Sequence, residues 1–154
     1  MERTADDATP ARLRDMPSWL LGRTAMHAHR LVVEGLAAAG ARGYHYRLLA
    51  ALEEFGAASQ AALGRRTGID RSYIVEAVNE LANGGLVERA RDPNDRRRNV
   101  VTITPAGVRQ LRRLDGVLAG IQDELFAPLS AEERTQLTRL LARVLDHHAV
   151  VTRR

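Results

Sequence analysis

The side chains best suited to reading another molecule lie in segment 70–83, at the start of a predicted helix. Arginine can bond the O6 and N7 atoms of guanine, glutamate can accept from the amino group of cytosine, and serine can contact a base or a phosphate. A helix in the major groove of DNA presents its first turns to the base edges. The predicted DNA contacts of this helix are Arg71, Ser72, Tyr73, Glu76 and Asn79.

A basic loop with the sequence RDPNDRRRN follows this helix, and the Asp-Pro within it marks a turn. An arginine at the tip of such a loop can enter the narrow minor groove, where the negative potential is strongest. We predict this role for Arg97, with Asp95 pairing with it and fixing its direction. The predicted DNA contacts of the loop are Arg91, Asp95, Arg96, Arg97 and Arg98.

The helix face and the loop each also have a simpler explanation. A polar stripe alone is more typical of a solvated helix face, and a charged hairpin can likewise be solvated surface. The charge balance favours DNA, because residues 88–113 contain eight arginines and three acidic residues, a local excess of five positive charges. Since the helix and the loop are neighbours, we interpret them together as a surface that meets phosphate.

The elements before the loop predict a helix-turn-helix. Ser59 is placed to cap a short helix that ends at Gly68, and Asp70 is placed to cap the next helix. Ser59 is also included among the predicted DNA contacts. In the second helix, Ile74 and the apolar residues that follow it at helical spacing share one face, opposite the polar residues.

The elements around the loop predict a wing. Gly84 and Gly85 end the preceding helix, since glycine readily takes the left-handed conformation found at helix ends. Strands are expected over 86–90 and 100–104, the second being rich in β-branched residues. The predicted fold class is therefore mainly α with a small β-hairpin wing, a winged helix-turn-helix core over residues 43–104.

Long helices are predicted on both sides of this core. Residues 1–15 contain few large apolar side chains and are expected to form a disordered arm. A helix with an apolar stripe is expected within 16–40, starting near Pro17, and its length suits packing against a partner chain. A helix over 44–55 is expected to place His45, Leu48, Leu52 and Phe55 on one face.

The two helices that follow the hairpin are predicted from their capping residues. Thr104 followed by Pro105 begins a long helix towards Phe126, and Ser130 with Glu133 forms a capping box for a last helix that ends near His148. We expect residues 105–150 to serve in dimerisation. The 154 residues suit one domain.

Aromatic and imidazole side chains are concentrated on the first long helix and at the start of the next. A small aromatic ligand can lodge between such residues, although residues of this kind also commonly pack in cores and interfaces. The predicted ligand contacts are Trp19, His27, Tyr44, His45 and Tyr46.

Several kinds of site are excluded or disfavoured. The sequence contains no cysteine, which excludes disulfides, thiolate catalysis and cysteine metal ligands. It lacks an HExxH motif, and the adjacent His147 and His148 are expected to diverge, so we predict no metal site and no cofactor. Without a phosphate loop or a nucleophile elbow, we predict no enzyme activity. No signal peptide or membrane span is evident, which favours the cytoplasm.

Residues 59–111 closely resemble the winged-helix core of MarR-family transcriptional regulators. The most specific part is the hairpin, with GLVER, then DPNDRR, then a strand ending in TITPAG. The resemblance covers about residues 43–115, and the order of the terminal helices and the PLSAEER sequence before the last helix also fit it.

The resemblance implies a homodimer, with the first and the last two helices of each chain intertwined, on a pseudo-palindromic operator in double-stranded DNA. It implies that Asp95 and Arg97 form the wing pair that reaches the minor groove. It also implies a repressor that responds to a small aromatic ligand between the dimerisation helices and the DNA-binding lobe. A dimer is expected on physical grounds too, because one recognition helix reads few base pairs.

Two alternative functions stay open. A structural DNA-binding protein without ligand control would show little sequence preference and binding dominated by salt. A winged helix used only for protein contacts would place the basic loop against an acidic partner, and would bind no DNA even at low salt.

Overall fold

In the computed structural model, which describes residues 9–151, helices precede and follow an antiparallel β-hairpin. The elements are α1 Ala11–Arg14, α2 Pro17–Ala38, α3 Gly43–Phe55, α4 Gln60–Thr67, α5 Arg71–Asn83, β1 Val87–Arg91, β2 Asn99–Ile103, α6 Pro105–Leu125 and α7 Ala131–Val151. The predicted fold class is confirmed. The chain divides into two units, one ending at Ile121 and one beginning at Gln122. That it forms a single domain stays a prediction.

The N-terminal arm differs in part from expectation. Residues 1–8 and 152–154 lie outside the described residues. Residues 11–14, expected to be disordered, form the short helix α1, which consists of the good helix formers alanine, leucine and arginine. The Arg14 side chain donates a hydrogen bond from Nε to the carbonyl oxygen of Thr9 at 2.9 Å, which ties the two ends of this turn together.

The predicted side-chain caps in the first unit are confirmed at Ser59 and Thr104 but not at Asp70. Ser59 Oγ accepts a hydrogen bond from the backbone N–H of Ala62 at 3.2 Å, and Thr104 Oγ1 accepts one from Gly107 at 3.0 Å. Asp70 occupies the cap position of α5, but its side chain makes no capping hydrogen bond. The prediction of a side-chain cap at Asp70 is therefore wrong, and backbone groups alone begin that helix.

Helices α3, α4 and α5 share one apolar core with the hairpin. The buried side chains with the largest volumes there include Leu48, Leu52, Leu63, Leu81 and Val101. Ile74, predicted to lie on the inner face of α5, is buried as expected. Phe55 was predicted to share one face of α3 with Leu48 and Leu52, which are buried, but it is 56% exposed. It lies at the end of the helix, where the Arg66 guanidinium covers it with its carbon 5.2 Å from the ring centroid.

Each strand of the hairpin lies one residue nearer to the loop than predicted: β1 covers Val87–Arg91 instead of 86–90, and β2 covers Asn99–Ile103 instead of 100–104. Its register runs from Val87 opposite Ile103 to Arg91 opposite Asn99. Gly85 supplies the left-handed turn before it, with a φ of 69°.

Helix α6 begins directly against this hairpin. A Cβ atom on Gly107 would lie 2.1 Å from the carbonyl oxygen of Leu86, so only glycine fits there. Further along, Leu114 packs with Leu36 and Ala41 in a second buried cluster. Gly107 thus sets how closely α6 approaches the hairpin.

In the second unit, α7 begins with the predicted capping box. The Glu133 N–H donates to Ser130 Oγ at 3.2 Å, and the Ser130 N–H donates to the Glu133 carboxylate at 2.8 Å. His147 and His148 were predicted to diverge, but their rings make an edge-to-face contact with centroids 5.1 Å apart. Neighbouring imidazoles can therefore touch across the helix surface. Within residues 9–151, no helix combines the length and the apolar character that crossing a bilayer requires.

Candidate nucleic-acid interface

The first turns of α5 carry an exposed polar surface. Arg71, Ser72, Tyr73 and Glu76 are all exposed, while Ile74 points into the core. Among the described residues, the Arg71 guanidinium has no hydrogen-bond or ion-pair partner. This part of the helix therefore offers donors and acceptors to an external molecule.

Tyr73 is more fixed than its neighbours. Its ring stacks on Tyr44 of α3, with centroids 5.7 Å apart and planes inclined by 19°. It remains 49% exposed. One part of this side chain is thus held by α3, while the rest stays accessible.

Asn79 contacts Arg89, which is not among the predicted DNA contacts. Its side-chain oxygen accepts a hydrogen bond from the guanidinium of Arg89 on β1. Arg89 and Arg91 are two residues apart, so they share one face of the strand. The two-residue spacing could have identified Arg89 from the sequence, because it places Arg89 on the same strand face as the predicted contact Arg91.

Two aspartates order the loop between the strands. Asp92 Oδ1 accepts from the backbone N–H of Asn94 at 2.9 Å, and Asp95 Oδ1 accepts from the N–H of Arg97 at 3.1 Å. Asx turns of this kind fix a loop without using its basic side chains. This explains acidic residues in a surface that is otherwise suited to phosphate.

The predicted ion pair of Asp95 has a different partner from the one expected. Its carboxylate lies 3.7 Å from Nε of Arg98, and it contacts Arg97 only through the backbone. A side-chain pair between Asp95 and Arg97 is therefore not formed in this structure. Within the described part of the chain, the guanidinium groups of Arg91, Arg96 and Arg97 have no partner.

Two of the three arginines of α6 are held by contacts within the fold. Arg112 pairs with both Glu53 and Asp115, and Arg113 donates to the carbonyl oxygen of Ala39 at the end of α2. The local charge excess of residues 88–113 therefore overstates the free positive charge. Only part of that excess is available to phosphate.

Ser59 has a structural task in addition to its predicted DNA contact. Its side chain is half-buried and accepts the capping hydrogen bond of α4. The hydroxyl proton is still available for donation.

Known proteins resemble this arrangement. The family model described as MarR family matches residues 35–98, which include α3, the helix-turn-helix and the wing loop. A protein assigned to regulation of the hcr operon in Thauera aromatica is 37% identical over 99 residues, covering 64% of this chain and 60% of that protein. The transcriptional repressor NicR of Pseudomonas putida is 33% identical over 98 residues, covering 64% of this chain and 62% of NicR.

The same resemblance extends to a solved structure over nearly its whole length. The PcaV transcriptional regulator from Streptomyces coelicolor, in complex with its natural ligand, superposes with a TM-score of 0.71 at 33% identity, covering 90% of this chain and 98% of that one. The chain belongs to the MarR family. It spans about three fifths of the length of the curated relatives it matches.

In this MarR-family chain, the predicted ligand contacts at the start of α3 have separate partners. Tyr44 stacks on Tyr73, and His45 Nε2 lies 2.6 Å from the carboxylate of Glu80. His45 Nδ1 accepts from the N–H of Arg42 at 3.1 Å. These three consecutive side chains thus have separate contacts within the chain, Tyr44 and His45 with α5 and Tyr46 with α6.

Tyr46 links α3 to α6 through its hydroxyl, which donates to Asp115 Oδ1 at 2.9 Å. Burial raises the pKa of Tyr46 above its usual value, and the hydrogen bond and negative charge of Asp115 raise that pKa further. The phenol is therefore a neutral donor across the physiological pH range.

The remaining two predicted ligand contacts lie on α2. Trp19 is half-buried with the Arg23 guanidinium 5.8 Å from its ring centroid, and His27 is exposed. The structure thus places these residues on a different helix from Tyr44, His45 and Tyr46. Among the described residues, no group of three or more histidine, aspartate or glutamate side chains is arranged to hold a metal ion.

Proposed function

We propose that this MarR-family protein is a homodimeric repressor that binds double-stranded DNA sequence-specifically and is released by a small aromatic ligand. The observation that carries the proposal is the wing tip. There, two acidic residues order the loop, while the guanidinium groups of Arg96 and Arg97 have no partner among residues 9–151. Such groups suit the minor groove beside the groove that α5 would occupy.

The first turns of α5 would read base edges. In this arrangement Arg71 bonds guanine, Glu76 accepts from a cytosine amino group, and Ser72 contacts a base or a phosphate. Tyr73 and Asn79 complete the helix contribution, while Arg91, Asp95 and Arg98 support the wing. Ser59, at the start of α4, would approach the backbone, where a helix N-terminus favours phosphate.

A homodimer is supported by apolar surface that no part of the described chain covers. Exposed apolar side chains of α2 and of Met16, which precedes it, include Met16, Leu20, Leu21, Met26 and Val33, and those on α7 include Leu140, Val144 and Leu145. No side chain described in α7, over 131–149, is buried. A helix with this apolar content needs a partner to cover it. Two copies would present two recognition helices to a pseudo-palindromic operator with half-sites about one helical turn apart.

Repression and ligand control are supported by two relatives. NicR is a repressor by name, and the PcaV structure contains a natural ligand. In the present chain, Trp19, His27, Tyr44, His45 and Tyr46 are the candidate ligand contacts. A ligand would release DNA only if it binds better to the DNA-incompetent state, and its effect cannot exceed that difference in affinity.

A gel shift on the DNA flanking the protein's own gene tests the proposal. We expect a discrete complex at near-physiological salt that resists excess non-specific competitor, and its release by at least one compound in a panel of small aromatic acids. A smear abolished by competitor would indicate a structural DNA-binding protein. Absence of any complex at low salt would favour a protein-contact role for the wing.

A further inference from the structure

We propose that Tyr44 is a positioning residue that sets the base preference of the recognition helix by holding Tyr73 in one orientation. This inference rests on the proposed DNA-binding function. It concerns one residue of α3 that lies outside the recognition helix and the wing. The side chain acts through Tyr73, not by touching DNA itself.

The contact between the two rings is specific. Their centroids are 5.7 Å apart and their planes differ by 19°, which is a stacked arrangement. Tyr44 is half-buried against the core, whereas Tyr73 is 49% exposed. The inner ring thus acts as a fixed platform for the outer one, which belongs to the exposed first turn of α5.

The platform is itself held by α4. The Arg47 guanidinium lies over the Tyr44 ring, 5.3 Å from its centroid, and Arg47 Nη1 donates to the carbonyl oxygen of Thr67 at 3.0 Å. Thr67 is the last residue of α4, where a positive charge near the terminal carbonyl groups is favourable. One aromatic ring therefore joins α3, the end of α4 and the start of α5.

Restricting Tyr73 has a direct consequence for recognition. An exposed tyrosine on a helix samples several side-chain rotamers, and a contact that requires one rotamer is weakened by that freedom. Stacking on Tyr44 selects the required rotamer before DNA arrives. An aromatic pair typically shifts such an equilibrium by about 2- to 10-fold, so losing the stack should weaken specific binding by a similar factor.

A mutant cycle with two readouts tests this role. The variants are Tyr44→Leu, Tyr73→Leu, the double variant, and Tyr44→Phe, which keeps the aromatic face. Tyr44→Met provides a second replacement without a ring if Tyr44→Leu does not fold. Phe55→Leu is the matched control, because the Phe55 ring also lies beside an arginine guanidinium, that of Arg66, but makes no ring contact with α5 among the described residues. Affinities for the operator and for random DNA are measured, together with the selected base preference at each operator position.

We expect Tyr44→Leu to weaken operator binding by about 2- to 10-fold and to relax base preference opposite the first turn of α5, with random-DNA affinity unchanged. Tyr44→Phe should restore both, and Phe55→Leu should match the wild type. In the Tyr73→Leu background, Tyr44→Leu should add nothing. Additive losses, or an equal loss on random DNA, would overturn the positioning role. If the wild type itself shows no operator preference, the proposed function fails instead, and the two failures are distinguishable.

Discussion

The wing and the start of α6 both carry clustered arginines, but they use them in opposite ways. In the wing, the acidic residues bind backbone N–H groups, which leaves Arg96 and Arg97 without partners in the described part of the chain. In α6, Arg112 pairs with Glu53 and Asp115 and thereby ties that helix to α3. Within the described residues, the charges of Arg96 and Arg97 in the wing are thus free, although Arg98 pairs with Asp95, whereas the charge of Arg112 in α6 is neutralised.

This difference shows that counting charges along a sequence does not locate a binding surface by itself. The arginines available to DNA are those whose acidic neighbours accept hydrogen bonds from backbone N–H groups instead of from the guanidinium. A free guanidinium can release counterions from DNA, whereas a paired one must first break its own contacts. The two regions should therefore respond differently to the loss of an arginine.

The largest expected effect is on stability, at the place where α6 packs against the hairpin. Gly107→Ala should lower the free energy of unfolding by about 2–3 kcal/mol, since the new methyl group meets the backbone of Leu86 and strained packing of this kind is costly. Gly116→Ala is the matched control, because a Cβ there would meet no described heavy atom within 4 Å outside the adjacent residues and the nearby backbone of its own helix. It should be neutral or stabilising by up to about 1 kcal/mol. Denaturant titration at one fixed protein concentration measures both, and equal stabilities would contradict the close approach of α6.

The role of the free wing arginines is tested by replacing Arg97. Arg97→Ala should leave the fold and the dimer intact and weaken operator binding by about tenfold or more, the scale of one well-placed arginine contact. Circular dichroism and size-exclusion chromatography provide the control for folding. Retained affinity in a folded dimer would show that the wing assignment is wrong.

The opposite outcome is expected for α6. Arg112→Ala should cost about 0.5–1 kcal/mol of stability, because its side chain is 61% exposed and surface ion pairs contribute little. Operator affinity should change by less than about twofold, since its charge is already paired. A large loss of affinity without a loss of stability would place Arg112 on the DNA and abolish the contrast.

The smallest expected effect concerns the hydrogen bond from Tyr46 of α3 to Asp115 of α6, the second polar contact between these helices after the Arg112–Glu53 pair. Tyr46→Phe should cost about 1 kcal/mol at neutral pH through loss of its hydrogen bond to Asp115. Because the folded-state pKa of Tyr46 is raised, the phenol's contribution is fully present below the unfolded pKa of about 10 and declines as pH rises above it. The stability gap between wild type and variant should therefore narrow above that pH. A gap that widens there would contradict the direction of the pKa shift.

Local features of the fold were predictable from the sequence. Ser59, Thr104 and the Ser130–Glu133 pair were identified as caps because a capping residue acts on the next few N–H groups. The hairpin followed from β-branched residues on either side of a turn, although its strands lie one residue away from the predicted ranges. Asp70 shows the limit, since its cap position was predictable but its side-chain hydrogen bond was not.

Long-range partners were not predictable. Periodicity placed Phe55 on the inner face of α3, but nothing in the sequence indicated that the core would end before it. Tyr44, His45 and Tyr46 were grouped by their proximity in sequence, whereas consecutive side chains on a helix point in different directions. Tyr44 and His45 contact two different residues of α5, and Tyr46 contacts α6. The choice of Arg98 as the partner of Asp95 depends on the turn conformation, which a sequence of charges leaves open.

The most direct test of the contrast is the salt dependence of operator binding for the wild type, Arg97→Ala and Arg112→Ala, measured by fluorescence anisotropy. Each DNA charge neutralised contributes about 0.9 to the slope of log K against log salt concentration. With one wing per protomer, Arg97→Ala should reduce the slope of the dimer by about 1.8, and Arg112→Ala should leave it unchanged. Equal slopes for all three proteins, or a reduction confined to Arg112→Ala, would contradict the assignment of the wing arginines to DNA.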